Sequence, residues 1–478
     1  MAIEERGATA KSGMRSRSQS LIPRLFQPID NASIVFFRIA FGITSFFHIW
    51  GVLDQERVRN RYVDAPFLFA FPGLDWLKPL PGDWMIAVWF ALAGAALLVM
   101  LGLFYTQAII FFFIGHTYAI HLDQSIFWNH YYVVSLFAFL MIFIPANRAH
   151  SLDVVFRRVP AASTVPSWAL WILRAQMGVT YFFAGVAKIN SDWLDGRPMD
   201  AFLTGDGSFP FISEWLNERW LHLLLSWTGV GFDLLIVPLL LWRRTRVPAF
   251  IGVLVFHLTN SLFFDIEVFP WFAIVATALF FAPDWPRTIG LWNNDPPPDL
   301  DDADVPRNWR ALTPRQMIGF AVLAIHFVIQ IALPLRHYAY PGNVSWTTEG
   351  DLWAWRMLIT DPRQESVFTL KSKATGRECV LNVTDFVGAG HTLKLGFRPD
   401  MMAQFGHRVA DLYWQQNREL VSVHVYSRVS VNGHPWGQVV APETDLATVP
   451  RFLHNDWVLT QDPPPPPVNP PPLPPCRP

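Results

Sequence analysis

Nine runs of mostly apolar residues, at 33–53, 84–104, 105–121, 127–146, 168–189, 220–242, 248–264, 267–283 and 316–335, constrain this chain more than any other feature. A spanning helix needs about 20 such residues, because lipid offers no water to satisfy a backbone that is not helical. The expected architecture is therefore an α-helical integral membrane bundle with about nine transmembrane helices. An odd number places the two termini on opposite sides. The composition agrees: 52% of residues are hydrophobic and 16% charged, with 40 Phe and 22 Trp, where soluble domains carry roughly 25% charge. A net charge of -1 gives no basic face for nucleic acid.

Orientation follows from the Lys/Arg bias of short loops toward the cytoplasm. The first 30 residues hold Arg6, Lys11, Arg15, Arg17 and Arg24 without an apolar stretch of their own, which reads as a cytoplasmic basic tail rather than a cleaved signal. The same side then receives Arg148, Arg157 and Arg158, then Arg243, Arg244 and Arg246, then Arg307, Arg310 and Arg315. The segment 54–83, with Arg57, Arg59, Arg61 and Lys78, falls outside against the trend. The resulting division is a tail at 1–30, a membrane domain at 31–336, an extracytoplasmic and mainly β domain at 340–456, and a disordered Pro-rich tail at 457–478. The β reading rests on alternation, Val421, Val423 and Val425 against Ser422, His424 and Ser427. The PPPPPVNPPPLPP tail reads as a solvated polyproline extension, and NNDPPPDLDDAD at 293–304 as an acidic connection. Cys379 and Cys476 are too few for a disulfide framework and lack metal-ligand spacing.

Polar groups in membrane helices are costly and tend to be functional. Three sets qualify: Asn129 and His130 opening the fourth run, Lys188 near the end of the fifth, and His257 with Asn260 in the seventh. The proposed topology puts His130 and Lys188 about one turn inside the outer face, and His257 somewhat deeper. Bland readings stay open for each: a snorkelling lysine, an aromatic-belt histidine, and an interhelical hydrogen bond from a histidine and asparagine sharing one face. As a base, Lys188 would draw on burial, which disfavours the ammonium. Arg174 and Asp233 are charges inside helices that could pair with one another. P-loop, dinucleotide, nucleophile-elbow and HExxH motifs are missing from the sequence, and no metal is expected.

The string YFFAGVAKINSDWLDGRPM at 181–199 resembles the segment of the vitamin K-dependent gamma-glutamyl carboxylase family that carries its catalytic lysine, with Lys188 on that lysine. Similarity extends to 62–85, to FWNHYYVVSLFAFLMIFIPANRAHSLD at 127–153, to FHLTNSLFFDI at 256–266, to APDWPR at 282–287, and to 342–358 and 423–446 in the outer domain. The family includes bacterial proteins with a horizontally transferred transmembrane domain, and the chain's size suggests such a member, placed in a bacterial inner membrane. The resemblance implies an epoxidase and carbon-carbon lyase chemistry. A lysine deprotonates reduced vitamin K or menaquinone, dioxygen reacts, and the oxygenated quinone takes a proton from a glutamate γ-carbon, to which carbon dioxide adds. It further implies Lys188 as base, with His130 and Asn129 stabilising developing charge, and a structural or quinone-facing role for His257; His257 and Asn260 are the quinone-binding candidates. Membrane lipid, an isoprenoid quinone and a glutamate-containing protein or peptide are the implied partners.

Departures concentrate where the family handles glutamate. A family histidine is Thr360 here, an Arg-His-Trp element is replaced by FLTGDGSFPF at 202–211, and Phe69 stands at one position of an expected disulfide. A non-enzymatic quinone- or lipid-binding protein is the rival reading. A transporter is disfavoured by the lack of an internal repeat.

Overall fold

The computed structural model describes residues 21–204, 213–264, 266–292, 306, 308–452, 454 and 456–476. Most of the basic tail at 1–30, most of the FLTGDGSFPF stretch and all of the acidic loop at 293–304 lie outside the described residues. Each apolar run coincides with a helix: α1 Ala32–Val52, α2 Asp83–Leu101, α3 Tyr105–Ile120, α4 Asn129–Ile142, α5 Ser167–Ala187, α6 Arg219–Leu241, α7 Arg246–Phe263, α8 Phe269–Thr277 and α9 Pro314–Leu335. Six of these, α1, α2, α5, α6, α7 and α9, are long and apolar enough to cross a membrane. Helix α4, and α8 with its continuation to Phe280, are shorter apolar helices. Of the nine expected crossings, six are thus supported by length and composition among the described residues, and α3, α4 and α8 are helices at the expected runs that fall short of that length.

The boundaries have local causes. Helix α2 stops because Gly102 takes a left-handed conformation at φ 62°, and a Cβ there would meet Ser151 at 2.5 Å and the Arg38 guanidinium at 2.7 Å. Helix α9 starts at a reciprocal cap in which Thr313 and Gln316 satisfy each other's backbone. Close approach of α1 to α2 needs Gly42, since a Cβ there would lie 2.6 Å from Met100. Helices α1 to α5 and α8 share one apolar core around Phe37, Phe41, Phe112, Phe137 and Phe272. Inside it Arg38 is fully buried, and its guanidinium donates to the carbonyls of Ala146 at 3.0 Å and His150 at 2.6 Å. Two of its three nitrogens are thereby paired with backbone carbonyls, as a buried cation requires, while Nε has no partner among the described residues. Helices α7 and α9 instead leave Val255, Leu262, Ile325 and Val328 exposed, as a lipid-facing surface requires.

A two-stranded ribbon, β1 Pro28–Asp30 with β2 Thr164–Pro166, ties the entry of α1 to the entry of α5. In the outer domain β3 Pro362–Gln364 pairs with β7 Val429–Val431, and β4 Val367–Ser372 lies between β5 Glu378–Val380 and β6 Val421–Tyr426, all antiparallel. Along β6 burial alternates as read, with Val421, Val423 and Val425 inside. The strands are short, however, and the 19-residue helix α10 Pro399–Asn417 supplies Met401, Met402, Phe405 and Val409 to the same core. This domain is therefore mixed α and β rather than mainly β. The helical period of those four residues was the missed signal.

Two further expectations change. Cys379 and Cys476 form a disulfide. The proline-rich segment does not stand free among the described residues: Gln438 donates from its backbone to Pro465, Val468 donates to the Gln438 side chain, and Cys476 donates to Val380. Proline lacks a donor but keeps its carbonyl, so a polyproline strand can still dock as an acceptor.

The outer domain is fastened to the membrane domain by side chains of the segment 66–70 and of 121–125. Phe69 is fully buried in the outer domain's core. The Gln404 amide donates to the Ala70 carbonyl at 3.1 Å, while its oxygen accepts from Ala70 N at 2.8 Å. Gln124 donates to Asp400 at 2.6 Å, His391 pairs with Asp123, and the Trp353 indole donates to His121 at 3.1 Å.

Candidate functional site

Lys188 is the residue at which α5 ends, and its buried amine turns toward α6. There Nζ donates to Asp233 Oδ2 at 2.7 Å and, more weakly, to the Ala184 carbonyl at 3.4 Å. Room for this pair depends on Gly229, one turn before Asp233 on α6: an added Cβ would sit 3.2 Å from the Trp193 ring and 4.0 Å from the lysine stem. Asn190 starts the next turn by accepting from Trp193 N at 3.0 Å. That turn fixes the Trp193 indole, which donates to the Ser226 carbonyl at 2.8 Å and places its ring 5.1 Å from Lys188 Nζ. Asp192 is held from the outer domain by His434 at 2.8 Å and Asn432 at 3.1 Å. Both domains therefore position the Lys188 turn.

This geometry corrects one expectation. Arg174 and Asp233 do not pair: Arg174 donates to the carbonyls of Leu279 at 2.8 Å and Phe281 at 2.9 Å. The reason is distance along α5, since Arg174 lies fourteen residues before Lys188, about 21 Å at 1.5 Å per residue. Asp233 sits at the Lys188 end.

Two turns before Lys188 on α5, the Tyr181 hydroxyl lies 2.7 Å from His257 Nε2. His257 packs against Phe269 with ring centroids 5.9 Å apart, and His130 reaches the same ring at 6.2 Å. Phe269 thus joins His130 of α4 to His257 of α7. Lys188 makes no hydrogen bond or ring contact with Asn129 or His130 among the described residues; its link to the cluster runs through the shared α5 and α6 surface around Tyr181 and Phe232. Asn260, the second candidate on α7, accepts at its backbone carbonyl from Phe264 N at the helix end. Three polar atoms in this region are shielded from solvent yet lack a hydrogen-bond partner among the described residues: Asn129 Oδ1, His130 Nε2 and His257 Nδ1. Unsatisfied buried polar atoms cost about 1–3 kcal/mol each, and each calls for a partner such as water, an ion or a ligand. A flat ring with polar substituents at its edges suits orphan donors and acceptors set around apolar walls.

Sequence reasoning singled out Lys188, Asn129, His130 and His257 but not Tyr181, Trp193 or the Asp233 partnership. Asp233 carried a usable signal, as a carboxylate in an otherwise apolar helix. What was lacking was the α5 to α6 register that decides which cation it meets.

Fold and site define a multi-pass membrane protein whose carboxyl-terminal domain hydrogen-bonds to the turn that follows a buried lysine. The HTTM domain family is matched over residues 26–285, more than half of the chain, and the lumenal domain of vitamin K-dependent gamma-carboxylase over residues 315–463. The chain belongs to the gamma-carboxylase family. No solved structure matches it.

Proposed function

We propose that this chain is a membrane enzyme that oxygenates a reduced isoprenoid quinone, vitamin K hydroquinone or menaquinol, to its epoxide, coupled to carboxylation of a glutamyl side chain or another carbon acid. The observation that carries the reading is the 2.7 Å contact between Lys188 Nζ and Asp233 Oδ2, both buried, on a segment of the gamma-carboxylase type. A base must be neutral when it acts. Asp233, to which the amine already donates, is the group placed to take its proton, a transfer that leaves the net charge of the pair unchanged. The amine then accepts a proton from a hydroxyl at Nζ, beside the Trp193 ring at 5.1 Å. Bound hydroquinone supplies, together with dioxygen, the strong base that a glutamyl γ-carbon requires. Asn129, His130 and His257, with their open polar positions, would hold its ring, and His130 and Asn129 would face developing charge.

The orientation proposed is cytoplasmic amino terminus and extracytoplasmic outer domain, in a bacterial inner membrane. The Cys379–Cys476 disulfide supports it, because disulfides persist in oxidising compartments. The rival reading, a quinone- or lipid-binding protein without chemistry, draws on the same Lys188–Asp233 pair taken as a purely structural bridge. Incubation of the purified protein with menaquinol and dioxygen separates them, with epoxide read by mass spectrometry. Labelled carbon dioxide and a glutamyl peptide in the same reaction test coupling.

A further inference from the structure

The outer domain holds Asp192, in the Lys188 turn, with one short hairpin. Val429 of β7 exchanges both backbone hydrogen bonds with Gly437, at 2.9 and 2.8 Å, and the loop so closed carries Asn432 and His434 to the Asp192 carboxylate. A two-stranded hairpin is marginal by itself, so its tip is only as fixed as its base. At that base the proline-rich segment docks. Gln438 donates from its backbone to the Pro465 carbonyl at 2.9 Å, so the strand leaving the hairpin has β7 on one side and the segment on the other. Gly437 makes the room: a Cβ there would lie 2.5 Å from the Pro464 ring and 3.5 Å from the Trp346 ring. Trp346 is buried, and its ring centre lies 6.0 Å from that of His434. A series of contacts therefore runs from Pro464 through Gly437 and Trp346 to His434, Asp192 and the Lys188 turn. The segment is strapped down at both ends, by Asn343 donating to Asp462 at 2.9 Å and by the Cys379–Cys476 disulfide on β5. Proline supplies no donors, so this strap depends on its covalent link more than an ordinary strand would.

We propose that the proline-rich strap is a positioning element for the Lys188 turn, acting through Trp346 and His434, with the Cys379–Cys476 disulfide as its lock; that the turn is catalytic rests on the proposed function. A dithiol reductant would open the lock: the S–S bond breaks, each cysteine gains a proton as a thiol, and the reductant leaves as its own disulfide. The strap then lifts from Gly437 and the hairpin loses its outer neighbour. The hold on Asp192 weakens, while Lys188 keeps its hydrogen bond to Asp233 within the membrane domain.

The test is hydrogen exchange, read by mass spectrometry on full-length protein in nanodiscs with and without dithiothreitol. The amides to follow are those of Leu194 and Gly196, which close the turn by donating to the Asn190 and Trp193 carbonyls at 3.0 Å. Their exchange should rise by about tenfold on reduction, the scale of one released hydrogen bond, while β4 and β6 stay protected. Cys476→Ser should show the same exchange without reductant and no longer respond to it. Gly437→Ala, with the disulfide intact, should also accelerate exchange at 188–196 by displacing Pro464. With menaquinol and dioxygen, each of these changes should lower kcat for epoxide and leave KM unchanged. Unaltered exchange at 188–196, once alkylation shows both thiols free, would overturn the proposal. Equal acceleration through β4 and β6 would do so too, since the disulfide would then be a general staple of the outer domain. Because exchange needs no turnover, acceleration in a protein that makes no epoxide would keep the strap's role and reject the enzyme.

Discussion

His434 of the outer domain lies 2.8 Å from the carboxylate of Asp192, four residues beyond Lys188. The outer domain therefore reaches into the turn that aims the amine, and Asn432 adds a second hydrogen bond to the same carboxylate at 3.1 Å. His434→Ala removes one charged hydrogen bond and leaves the membrane core untouched. Epoxide formation should fall by roughly tenfold, the scale of one such bond, while yield and helicity stay at wild-type levels. Unchanged rates would show that the outer domain does not set the lysine's position.

Phe69 belongs in sequence to the membrane domain but is buried in the outer domain's core beside Phe368, Met401 and Phe405. Where the family's disulfide would join the two domains, an aromatic side chain does so by packing. Phe69→Ala should cost on the order of 3–5 kcal/mol through lost burial and the cavity left behind. Limited proteolysis should then cut the outer domain faster than in wild type, with the membrane helices still protected.

The Cys379–Cys476 link closes a loop with a sequence separation of 97 residues and anchors the proline-rich segment. A native disulfide typically contributes about 2–4 kcal/mol. Protein alkylated on isolation, without reductant, should yield the two cysteine peptides as one linked species. Free alkylated cysteines would place the outer domain in a reducing compartment. Cys476→Ala should release the segment to proteases while the domain core remains.

Lys394 reaches from the outer domain to the residues just before Asn129: its amine donates to the Phe127 carbonyl at 2.7 Å and lies 4.5 Å from the Trp128 ring centre. Burial, with Arg398 nearby, pushes it down to about 7 from 10.5. Below about 7 both folded and unfolded chains hold the proton, and the full penalty of a buried ammonium is felt. Between about 7 and 10.5 the unfolded chain holds a proton that the folded chain has released, so stability should rise with pH across that window. Lys394→Met should flatten that part of the profile, as read by thermal unfolding of the outer domain.

The positions of the membrane helices were readable because lipid makes one demand along a whole helix, and the apolar runs record it. Lys188, Asn129 and His130 were readable for the complementary reason, as polar groups where such groups are expensive. Partnerships were not. Asp233 meets Lys188 rather than Arg174 through a helix register set by Gly185 and Gly229, glycines that carry no chemistry of their own. The docking of the polyproline segment was hidden because composition reports its lack of donors but not the strand edge at Val380 that receives it.

The most direct test of the account compares wild type with Lys188→Ala, Lys188→Arg and Asp233→Asn in purified protein supplied with menaquinol and dioxygen, with quinone epoxide measured by mass spectrometry. Lys188→Ala should lower the rate by on the order of a hundredfold or more, the scale of losing a positioned acid–base group. Lys188→Arg should fail nearly as badly, because a guanidinium is not deprotonated in proteins. Asp233→Asn, which removes the carboxylate that shares the proton, should also lose most activity while binding of menaquinol persists. Epoxide formed at the wild-type rate by Lys188→Arg would contradict the account, since arginine can replace a bridging or snorkelling lysine but not a base.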